Sequence, residues 1–140
     1  FGSEKIKQQF YHLPPSITAG VNVAGLAATR IAWEQCDPWL DSLVRYLKDN
    51  RDYALQRINR DFRNIEVVCP ESTYLMWLDC SKTPFAADPQ THFLDKAKVA
   101  LNSGSDFGPG GEGYVRLNFA TSRQILSQIL DQMQASIPDT

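Results

Sequence analysis

Cysteine is scarce in this 140-residue sequence, and the three present, Cys36, Cys69 and Cys80, form no CxxC pair. The two histidines, His12 and His92, lie far from them in sequence, so no zinc-binding spacing is available. An odd, sparse cysteine count fits buried free thiols in a reducing compartment, and a cytoplasmic location is expected. An excess of one charge is also lacking: 14 Lys plus Arg stand against 16 Asp plus Glu, a net of −2. No basic stripe is present, which removes the electrostatic footprint of a nucleic-acid binder. No apolar run approaches the ~18 residues of a membrane span, and no basic-then-apolar leader opens the sequence. Because the sequence starts at Phe1, it is expected to be a fragment, a processed form or part of a longer chain.

Familiar catalytic arrangements are missing too. No Ser-His-Asp or Cys-His grouping stands out, and no two carboxylates share an apolar setting that would tune them as acid and base. The six lysines, Lys5, Lys7, Lys48, Lys82, Lys96 and Lys98, fall on helix faces or loops. None occupies a desolvated setting that would lower its pKa.

What is present is ordinary globular material, 43% hydrophobic and 21% charged. The length suits one domain, or a domain plus an arm. Five of the eight glycines crowd into 104–120, GSDFGPGGEGYVRLNFA. They lead into an alternating run. Alternation along a strand sends Val115, Leu117 and Phe119 to one face and Tyr114, Arg116 and Asn118 to the other. A guanidinium on a rigid strand suits bidentate capture of a carboxylate or phosphate; the competing reading is an edge-strand Arg in solvent. The glycines form no P-loop or dinucleotide fingerprint, because a strand follows them and GK[ST] is absent.

Around this stretch the chain reads as helices followed by an α/β layer. A short helix over 3–10 is capped by Ser3 and stopped by Pro14-Pro15. Ser16 is expected to cap a second helix, 16–35, with Ile17, Val21, Ala24, Ala28 and Ile31 at helical spacing. That helix is apolar almost all round, so burial on several sides is expected. Asp37-Pro38 signals a third helix, 37–62, striped by Leu40, Leu43, Leu47, Ala54, Ile58 and Phe62. From residue 64 a hairpin is expected, with strands 65–69 and 73–79 and a turn at 70–72. Asp88-Pro89 starts a helix through Ala97, 98–101 reads as a short strand, and a capping box at Thr121-Ser122-Arg123-Gln124 opens a last helix. Its buried side is Ile125, Leu126, Ile129, Leu130 and Met133. Trp33, Trp39 and Trp77 are expected in the core. Tyr74 can border a pocket, though burial in the hairpin accounts for it as well.

The order WLDSLVRYLKDNRDY, PESTYLMWLDC, KAKVALNSGSDFGPGGEGYVRLNFA and a closing helix resembles the C-terminal end of pyridoxal-phosphate enzymes of aminotransferase fold type I. It is most similar to the bacterial cystathionine β-lyase or C–S lyase (MalY/PatB type) branch. The resemblance covers essentially the whole chain and is most specific at GPGGEGYVRLNFA and TYLMWLDC. It implies an α/β fold: a small C-terminal domain with a mixed or antiparallel sheet covered by helices, preceded by a long connector helix. It implies that 1–36 end a large cofactor domain, 37–62 connect, and 63–140 form the small domain. It implies pyridoxal 5'-phosphate, bound mainly by upstream residues, and a homodimer acting on cystathionine or a cysteine conjugate. In such enzymes the strand arginine, matched by Arg116, binds the substrate α-carboxylate. The family's Schiff-base lysine would precede this stretch, so the 140 residues alone are expected to be inert and 1–36 to pack poorly by themselves. An aminotransferase on the same scaffold and a non-catalytic binding or regulatory fragment remain alternatives. Neither nucleic acid nor membrane is an expected partner.

Overall fold

The computed structural model describes residues 2–14, 20 and 22–138. Its elements are α1 (Glu4–Tyr11), α2 (Val23–Gln35), α3 (Asp37–Asp61), β1 (Glu66–Val67), β2 (Leu75–Asp79), α4 (Pro89–His92), β3 (Asn102–Ser103), β4 (Tyr114–Asn118) and α5 (Arg123–Ser136). A π-helical turn, Phe93–Ala97, prolongs α4, and a 3-10 turn, Gly104–Phe107, follows β3. The chain forms two compact units, Phe1–Asp41 and Ser42–Thr140.

In the first unit, the expected Ser16 cap and the apolar positions Ile17 and Val21 lie outside the described residues. Among those described, α2 starts at Val23, where the Asn22 side chain accepts from the Gly25 N–H at 2.6 Å. No residue of α1 or α2 is buried. The core placement expected for two tryptophans is therefore corrected: Trp33 is 84% exposed and Trp39 64%. Two helices of 8 and 13 residues are too short to enclose a core of their own.

The second unit holds a four-stranded antiparallel sheet in the order β1-β2-β4-β3. Strand parity decides its two faces. Met76, Leu78, Val115 and Leu117 are buried, together with Phe119 just past β4. They join one core with Ala54, Ile58 and Phe62 of the α3 segment, Phe93 and Ala97 of the π turn, and Leu126, Leu130 and Met133 of α5. Ile129 is partly buried, whereas Ile125 is 48% exposed, one residue fewer than expected on that face. The helix cap also moves by one: the Ser122 hydroxyl, not Thr121, accepts from the Ile125 N–H at 3.2 Å. Of the thiols, only Cys80 is buried; Cys69 is exposed and all three cysteines are free.

Two sheet expectations are corrected. The hairpin shrinks to two pairs, Glu66↔Asp79 and Val67↔Leu78. Val68 is 84% exposed and Cys69 exposed, and Pro70 has no N–H to extend the ladder. The strand expected at 98–101 is instead irregular, with Lys98 left-handed (φ 57°) after the π turn, and pairing begins only at Asn102. Val99 and Leu101 are buried by packing rather than by a ladder.

Polar groups tie α3 to the rest of this unit. Asn50, fully buried in a gap of the α3 stripe, donates to the Phe119 and Thr121 carbonyls at 3.1 and 2.8 Å and accepts from Arg123 Nε at 2.9 Å. Buried amides are tolerated when satisfied in this way. Arg57 donates to Asp61 and Asp131, both at 2.7 Å, and to the Tyr53 hydroxyl at 3.0 Å. Hydrogen bonds from Arg60 and then Arg57 hold the Asp61 carboxyl well below the usual carboxylate range. A carboxyl whose pKa is depressed on folding stabilises the fold above its unfolded value of about 4, and that stability is lost as pH falls through the folded value. Urea midpoints measured from pH 7 to 2 are expected to fall steeply below about pH 4 in the parent protein. The fall should be shallower in Asp61→Asn, which starts lower at pH 7. Parallel curves would assign the acid loss to other groups.

Candidate functional site

The sheet face opposite the core of the second unit carries the candidate site. β4 is an interior strand between β2 and β3, which removes the edge-strand reading of Arg116. Register sets Arg116 opposite Trp77 on one side and Asn102 on the other. Antiparallel partners share a face, so Trp77, Arg116 and Asn102 form a row across the sheet, with Asp79 and Tyr114 as the next pair. Trp77 is thus 40% exposed on this face rather than in the core, a further correction.

Arg116 is half-buried. One Nη2–H donates to Asn102 Oδ1 at 3.1 Å, and Cζ lies 4.3 Å from the centroid of the Phe107 ring. Its Nε is buried without a hydrogen-bond partner, the one such side-chain atom among the described residues. Among the described residues no carboxylate pairs with it. A guanidinium that is partly desolvated, restrained by neutral groups and left without a counter-charge is suited to an incoming anion. The neighbouring acid is otherwise engaged: Asp79 accepts from the Ser81 N–H at 2.9 Å and the Tyr114 hydroxyl at 3.0 Å. Hydrogen bonds from Ser81, then Tyr114, keep Asp79 below the usual carboxylate range, while Asp79 raises the Tyr114 hydroxyl. The Asp79 carboxylate is thus satisfied by Ser81 and Tyr114 and is not paired with Arg116.

The glycine loop flanks this row. Gly104 and Gly111 approach so closely that a Cβ on either would collide with the other's backbone. Gly108 and Gly110 take φ of 112° and 89°, values L side chains rarely adopt. The loop places Phe107 edge-on to Trp77 at 5.2 Å. A depression of about 280 Å3 opens among Trp77, Phe107, Pro109 and Tyr114. Tyr74, 47% exposed, lines a separate 370 Å3 hollow with Leu47, Arg51 and Phe119. Cys80 is no nucleophile, since burial and then Asp79 push its thiol up to about 12. All six lysines are exposed, and Lys7, Lys48 and Lys82 pair with Glu4, Asp52 and Glu66. None of these lysines lies in an enclosed site.

Sequence reasoning singled out Arg116 from its strand parity. It missed Phe107, Asn102 and the Asp79–Tyr114 pair, whose roles depend on loop path and cross-strand register. The alternation in TYLMWLDC carried a signal for Trp77, since Met76 and Leu78 claim the other face.

No protein-family model matches the chain. It is 34% identical over 119 residues to the cystathionine beta-lyase PatB of Bacillus subtilis, covering 84% of this chain and 31% of the relative. Against the protein MalY of Escherichia coli it is 38% identical over 110 residues, 76% of this chain and 28% of the relative. A crystal structure from Corynebacterium diphtheriae, described as a PLP-dependent β-cystathionase, superposes with a TM-score of 0.84 at 36% identity over 97% of this chain and 36% of that one. The antiparallel sheet and its helices thus have the architecture of PLP-dependent fold type I enzymes. Within that class the chain belongs to the cystathionine β-lyase and C–S lyase family of the MalY/PatB type. It spans about a third of the length of the curated relatives it matches.

Proposed function

We propose that in the whole protein Arg116 receives the α-carboxylate of an amino-acid substrate, in a pyridoxal-phosphate-dependent C–S β-lyase acting on cystathionine or a cysteine conjugate. The observation that carries this reading is the half-buried guanidinium on an interior strand, with an unpartnered Nε and no carboxylate of its own among the described residues. The names of the relatives support the substrate class. When bound, pyridoxal phosphate would supply the electron withdrawal that weakens bonds at the substrate Cα. This chain's share is positional. Arg116 anchors the carboxylate, and a substrate held at that point keeps its labile bond in a fixed direction. Trp77 and Phe107 shield the contact from water, which strengthens it. Residues 37–62 would connect a cofactor domain to 63–140. The bare apolar side chains Val23, Leu26, Ile31 and Trp33 support burial of 1–36 in the rest of a homodimer.

Incubating the whole protein with cystathionine and pyridoxal phosphate tests the reaction class. Pyruvate, ammonia and a thiol in equal amounts are expected. A keto acid formed only with an amino acceptor would make it an aminotransferase using the same clamp, and no turnover would leave a binding role.

A further inference from the structure

Phe107 closes the 3-10 turn and is 50% exposed. A lone exposed ring on a loop calls for no explanation, but this one has two specific partners. Arg116 Cζ sits 4.3 Å from its centroid, and Trp77 meets it edge-on at 5.2 Å and 86°. Among the described residues the guanidinium has one polar side-chain partner, Asn102, and a single neutral hydrogen bond leaves a five-donor fork free to swing. The loop fixes the ring from the strand side: Gly104 is packed against Gly111 and Tyr114 with no room for a Cβ, and the chain turns away at Gly108.

We infer that Phe107 is a positioning residue for Arg116, its ring holding the guanidinium in place so that the donors not used by Asn102 meet the substrate carboxylate. The inference rests on the carboxylate reading of Arg116. It adds that the glycine loop sets substrate affinity through one aromatic contact.

The test uses the whole protein and steady-state kinetics with an amino-acid substrate, alongside the Kd of an unreactive amino-acid analogue. Phe107→Ala is expected to raise KM and Kd about tenfold, with kcat changed less. Phe107→Tyr should stay near the parent, because it keeps the π face. Phe107→Leu should resemble Ala, because bulk without that face does not hold a cation. In an Arg116→Ala background, Phe107→Ala should add nothing. Equal penalties in both backgrounds, or a Leu variant as good as the parent, would overturn the positioning role. So would an unchanged Phe107→Ala protein beside a damaged Arg116→Ala protein, and there the carboxylate reading survives. An Arg116→Ala protein with parental KM and Kd removes the carboxylate reading itself, and this inference with it.

Discussion

Arg116→Ala in the whole protein is expected to lower kcat/KM for amino-acid substrates at least ~10-fold while leaving the melting temperature nearly unchanged. The lost interaction is a charge-assisted contact, worth ~1.5–3 kcal/mol, and each ~1.4 kcal/mol is a factor of ten. Stability is spared because Asn102, its one polar side-chain partner among the described residues, is exposed and can turn to water. The core beneath is formed by Val115 and Leu117, which point the other way. Removing a buried donor that has no partner also removes a cost rather than a gain. Arg116→Lys should recover only part of the activity, since a point charge does not reproduce the fork. A variant that unfolds while its folded remainder turns over normally would make Arg116 structural.

Gly104→Ala is expected to be strongly disruptive in the second unit. A Cβ there would collide with the Gly111 carbonyl and fall 2.8 Å from Tyr114 Cβ and 2.9 Å from the Tyr114 carbonyl. Two of these three obstacles are backbone, so relief requires the loop to part from the strand. Overpacking of this kind costs ~1–3 kcal/mol, occasionally more. The displaced loop carries Phe107 with it, so affinity for substrate should fall together with the melting temperature. Ser105→Ala, next door and exposed, should stay within about 0.5 kcal/mol of the parent. Equal melting temperatures for the two variants would mean that the loop yields freely and does not brace Phe107.

These two residues also show what a sequence can reveal of such a site. The face on which Arg116 lies was legible because strand parity is local: buried Val115 and Leu117 require the residue between them to face outward. The helical cover was legible for the same kind of reason, from apolar spacing in α3 and α5. Asn50 was not, since a polar residue in an apolar stripe becomes favourable only when the Phe119 and Thr121 carbonyls arrive from about 70 residues away. Nor was β3, whose pairing starts where the chain recovers from a left-handed Lys98. The tryptophans misled for a third reason. An aromatic side chain signals burial somewhere, and Trp77 lies on the site face while Trp33 and Trp39 are exposed in the first unit. Phe107 and Asn102 could not be assigned because their meeting with Arg116 is a product of loop path and register, neither of which follows from spacing.

The account turns on where the carboxylate of an amino acid comes to rest. A crystal structure of the whole protein soaked with an unreactive amino-acid analogue decides this directly. The account predicts both carboxylate oxygens at roughly 2.7–2.9 Å from guanidinium nitrogens of Arg116, with Phe107 still over Cζ. A carboxylate bound elsewhere, with Arg116 turned to solvent or paired with an acidic side chain, would contradict it.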